Sequence, residues 1–124
     1  MRHTARSIIT TVLSLATLLG ALLLIPFHAG AADATAAEKG KAIAVNRKLG
    51  NCLACHAMDD GTLPGNIGPP LVTMKSRYPD KAKLRAQIWD ATVANPNTIM
   101  PPFGRHRMLT EEQIDQVTEY VYSL

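Results

Sequence analysis

The chain runs to 124 residues with 13 basic and 10 acidic side chains, a formal charge of +3. Such a length holds one small domain with a thin hydrophobic core. Part of the excess charge lies in the first few residues, so no nucleic-acid partner follows from it.

Residues 1–32 read as a secretory signal. Arg2 and Arg6 form a positive start, Ile8 to Ile25 an apolar run, and Pro26 its break. Ala29-Gly30-Ala31 then offers the small residues of a cleavage site. The run is long for such a segment, which leaves an uncleaved membrane anchor as the alternative. Ser7, Thr10, Thr11, Ser14 and Thr17 within or beside it favour cleavage and a periplasmic product. Without Arg2 and Arg6, eleven basic residues face ten acidic ones, and the charge falls to +1. The expected domain is then residues 33–124.

Thr35-Ala36-Ala37-Glu38 is a capping box, and a helix is expected from it to about Leu49, stopped by Gly50. Ala36, Gly40, Ile43 and Ala44 would share one face. A helical Gly costs about 1 kcal/mol against Ala, so Gly40 marks either a close helix crossing or a tolerated loss.

Cys52-Leu53-Ala54-Cys55-His56 comes next. Residues three apart on a helical turn share a face, so Cys52 and Cys55 can bond the two vinyl groups of one porphyrin. His56 follows as an imidazole ligand to the iron, and this spacing is that of covalent c-type haem attachment. A thioredoxin-like dithiol competes, but it would want a βαβ pattern around it. A zinc site would want two more close ligands, and the chain has no third cysteine. A haem in the centre would also supply apolar surface that so small a core lacks.

Met58 to Pro70 has no periodicity and many Gly, Pro, Asn and Asp residues, hence a loop, expected to line the proximal side of the haem. Around Pro69 a backbone carbonyl is expected to accept the Nδ1–H of His56 and fix its tautomer. Asp80 caps a further helix, expected to about Ala94, with Leu84, Ile88, Ala91 and Trp89 inward. Trp89 and Arg85 have weaker readings as partners of a haem propionate.

In Thr98-Ile99-Met100-Pro101-Pro102 the following proline pushes Met100 into extended backbone. A thioether on so stiff a strap suits the distal iron ligand, with His106 as its rival. Met74 and Met108 lack the strap and read as packing residues. Leu109 to Ile114 forms a second capping box with a hydrophobic staple, starting a helix with Val117, Val121 and Leu124 on its inner face.

From about Ala36 to Leu124 the chain resembles class I cytochromes c. Gly50 to His56, Pro64 to Leu71, Gln87 to Thr92 and Asn95 to Gly104 carry a narrower likeness to the SoxX family, the monohaem subunits of SoxAX sulfur-oxidation cytochromes. The resemblance implies an all-α fold of three or four helices around one covalent haem c, with crossed terminal helices. It implies His56 and Met100 as iron ligands, Cys52 and Cys55 as attachment points, and Pro69 in the proximal loop. It also implies a heterodimer with a larger SoxA-like cytochrome, which joins thiosulfate to a cysteine of a SoxYZ-like carrier. A downstream cytochrome would then take the electrons. No catalytic residue is expected here, because both cysteines and both axial positions are used. A free-standing electron carrier is the alternative.

Overall fold

The computed structural model describes residues 34–124, and the expected signal segment lies outside them. Four α-helices follow in order: α1 (Ala36–Val45), α2 (Met74–Arg77), α3 (Lys81–Trp89) and α4 (Glu111–Ser123). A single 3-10 turn, Cys52–Ala54, lies between α1 and α2, and no strand occurs among the described residues.

Local chemistry starts each long helix. Thr35 and Glu38 form the reciprocal capping box on α1, and Thr110 and Gln113 form the one on α4. The Thr35 N–H and hydroxyl hold the Glu38 carboxyl below its ordinary range. Asp80 caps α3 by accepting from the Ala82 N–H at 2.9 Å. Leu109 and Ile114, either side of the α4 cap, are both buried, as a staple requires. Replacing the cap hydroxyl in Thr110→Ala should cost about 1 kcal/mol, read from the urea midpoint of the haem-loaded protein at unchanged slope.

Two helices stop earlier than expected, for the same reason. At Asn46 the backbone turns extended, the side-chain Oδ1 accepts from the Lys48 N–H, and the Gly50 N–H reaches back to the Ile43 carbonyl. At Asp90 the carboxylate accepts from both the N–H and the hydroxyl of Thr92. Side-chain oxygens compete with the helical ladder at both places and end it four or five residues early.

The terminal helices cross at Gly40. A methyl there would lie 2.0 Å from the Gln116 carbonyl oxygen and 3.0 Å from the Tyr120 Cβ. Around this contact Ile43, Ala44, Ile114, Val117, Tyr120 and Val121 form one buried cluster with Leu84 and Ile88 of α3. Ala36, expected on the inner face of α1, is exposed, and Ala37 packs there instead. Arg85 ties α3 to α4 through Asp115 and Glu111, and Lys81 pairs with Glu119.

Candidate functional site

A cavity of about 580 Å³ opens between the 3-10 turn, the loop after it, α3, α4 and the Met100 segment. That is ample room for a drug-sized or cofactor-sized ligand. Its inner walls are Leu71, Met74, Leu84, Ile88, Phe103, Leu109, Val117 and Val121, all apolar. Cys52, Cys55, His56, Pro69 and Met100 line this same cavity.

The cysteine turn is built by its own backbone. The Cys55 and His56 N–H groups both donate to the Cys52 carbonyl, at 3.1 and 2.9 Å. Asn51, which starts the turn, is in the left-handed region at φ 48°, a conformation that asparagine tolerates. The two sulfurs are not joined in a disulfide. Burial pushes the Cys52 thiol up to about 11, so it stays protonated at neutral pH and makes a poor dithiol nucleophile. Among the described residues no three His, Cys, Asp or Glu side chains stand together as a metal-binding cluster.

Three backbone bonds zip the following loop onto the turn. The Gly65, Gly68 and Leu71 N–H groups donate to the carbonyls of Leu53, Cys55 and Ala57, each at 2.8 Å. This brings the Pro69 carbonyl to 2.7 Å from His56 Nδ1. A carbonyl only accepts, so Nδ1 carries the proton and Nε2 is the nitrogen left for a metal. Gly68 lies flat on the imidazole, where a methyl would come within 2.3 Å of Cε1.

Arg77, which the sequence reading passed over, clasps this loop from α2. Its Nη1 donates to the Pro70 carbonyl at 2.7 Å and lies 3.3 Å from the Met74 sulfur. Arg47, Lys48 and Arg77 line the cavity, and no carboxylate does. The lining thus favours an anionic ligand edge, such as porphyrin carboxylates. Only the run of Arg47-Lys48 just before the motif hinted at this.

Of the other candidates, Met74 is buried with its sulfur beside Arg77, Met108 stands at the opening, and His106 is exposed and does not line the cavity. Met100 is half-buried, with its N–H on the Thr98 hydroxyl at 3.2 Å. Trp89 and Arg85 are not at the cavity. The Arg85 guanidinium lies 5.5 Å from the centre of the Trp89 ring and is held by Glu111 and Asp115.

An apolar cavity of this size, a cysteine pair on one turn and an imidazole with Nε2 free fit a covalently held haem. A family model described as cytochrome C oxidase, cbb3-type, subunit III matches residues 35–121. An uncharacterized lipoprotein of Aquifex aeolicus (strain VF5) is 34% identical over 76 residues, 60% of this chain. The match spans only 37% of that relative's length. The crystal structure of SoxXA from P. pantotrophus superposes with a TM-score of 0.63 at 28% identity, covering 69% of this chain and 79% of that one. The helical architecture is accordingly the class I cytochrome c fold. The chain belongs to the cytochrome c family of that model, with covalently bound haem c as its cofactor and electron transfer as its function.

Proposed function

We propose that this chain is the electron-transfer subunit of a two-subunit SoxAX-type cytochrome in the periplasm. Residues 1–32 would direct export and be removed, leaving the cytochrome domain at 33–124. The observation that carries the reading is the meeting of Cys52, Cys55, His56, Pro69 and Met100 on one cavity. Cys52 and Cys55 would hold the porphyrin as thioethers, and His56 Nε2 and the Met100 sulfur would be its iron ligands. The Pro69 carbonyl keeps the His56 proton on Nδ1. Haem c, when bound, supplies one-electron chemistry at a potential that Met/His ligation raises.

With both axial positions filled and both thiols consumed, the chain offers neither an open metal site nor a nucleophile for sulfur chemistry. Joining thiosulfate to a carrier-protein cysteine therefore belongs to a SoxA-like partner. The released electrons pass through this chain to a downstream cytochrome. The likeness to the SoxXA crystal structure supports a protein partner.

Native purification with sizing and mass analysis tests this. The expected result is a stable complex with a larger haem-bearing subunit. A monomer that exchanges electrons freely would replace the subunit reading with a free-standing carrier. In Cys52→Ala or Cys55→Ala the haem should remain through one thioether only, visible in the mass after acid extraction.

A further inference from the structure

The Met100 strap packs Phe103 into the core and is tied by its backbone to the C-terminal end of α3. The Gly104 and Arg105 N–H groups both donate to the Trp89 carbonyl, at 3.0 and 3.3 Å. Gly104 lies on the Trp89 ring so closely that a methyl would come within 2.1 Å of it. Next to these, the Asp90 carboxylate is 8% exposed and faces Arg105 Nη1 at 3.3 Å. Its other oxygen takes the Thr92 N–H and hydroxyl, and Arg105 also reaches the Thr92 oxygen at 3.3 Å.

From these contacts we infer that Asp90 is a positioning residue for Met100, acting through Arg105. The inference rests on Met100 being the distal ligand. Pro101 and Pro102 are stiff, so the chain between the tie and the sulfur has little slack to absorb a shift at Arg105. Asp90 therefore sets how often the sulfur leaves the iron. The Arg105 side chain is largely exposed, and an exposed ion pair contributes little by itself. The larger part lies with Asp90, whose loss would leave the part-buried Thr92 N–H and hydroxyl without their acceptor and release Arg105 to solvent.

The test is cyanide binding to the ferric, haem-loaded protein at saturating cyanide, where release of the sulfur limits the rate. Asp90→Ala should raise that limit about tenfold and Arg105→Gln about threefold, as the sulfur is released faster from a less firmly held strap. Asp90→Asn keeps an acceptor oxygen and should fall between wild type and Asp90→Ala. Thr118→Ala removes a buried hydroxyl from α4, away from the strap, and should lower stability without moving the rate. A limit within twofold of wild type in Asp90→Ala overturns the inference, whatever happens to stability. Should that variant fail to load haem, Arg105→Gln decides by the same criterion. A wild-type protein lacking the thioether-to-iron charge-transfer band would overturn the Met100 reading and this one with it. A band present with unchanged rates overturns this one alone.

Discussion

Gly40→Ala should destabilise the haem-loaded protein by about 2 kcal/mol, although alanine is the better helix former. Two effects oppose each other. Relief from glycine's entropy would favour the variant by about 1 kcal/mol in a helix interior. The added methyl, however, would lie 2.0 Å from the Gln116 oxygen and 2.5 Å from its carbonyl carbon. Those are backbone atoms of α4 and cannot swing aside as a side-chain tip can. The helices must separate, and overpacking of this kind costs about 1–3 kcal/mol, the upper end where backbone has to move. Val117 and Val121 of α4 also line the cavity, so the shift would reach the haem pocket. Denaturant midpoints compared at equal slope measure the loss. An unchanged or raised midpoint would mean that α1 and α4 do not meet at Gly40.

That crossing shows what a sequence can and cannot disclose. Gly40 could be flagged from α1 alone, because a glycine inside a helix needs a reason, but its partner on α4 is a backbone carbonyl that no pattern marks. The two capping boxes were legible since each is closed within four residues. The helix ends at Val45 and Trp89 were not. They depend on whether the Asn46 and Asp90 side chains fold back on the following backbone, a choice that the surrounding packing makes. Around the haem, chemistry with strict spacing could be read directly. The cysteine pair and His56 are fixed by the spacing that attachment needs, and a carbonyl near Pro69 followed from the partner that a ligating imidazole takes. Arg77 could not be read, because it holds the Pro70 carbonyl and the sulfur of Met74, which had looked like plain packing. Arg85 had only a weak reading as a propionate partner, and nothing in the sequence showed that Glu111 and Asp115, one turn apart on α4, grip it from a different helix.

Met100→Ala is expected to leave a folded cytochrome with an iron that binds ligands from solution. Met100 is only half-buried, so truncation should cost less than the 2–5 kcal/mol of a fully buried methionine. That leaves the protein folded if its stability lies in the usual range of about 5–15 kcal/mol. Loss of the thioether should lower the reduction potential by on the order of 100 mV, since the axial ligand is the strongest lever on it. Cyanide should then bind without waiting for the strap to open. The identity of any replacement ligand decides between the remaining candidates. Met74 is buried beside Arg77, and His106 is exposed on a turn closed by the His106 N–H to the Pro102 carbonyl at 3.0 Å. Met74 lines the cavity and His106 does not, so His106 would have to leave that turn to serve as a ligand. A Met100→Ala protein that kept the wild-type ligand spectrum and slow cyanide binding would therefore remove Met100 from the iron. It would put His106 in its place, and the segment from Pro102 to Met108 would have to rearrange around the haem.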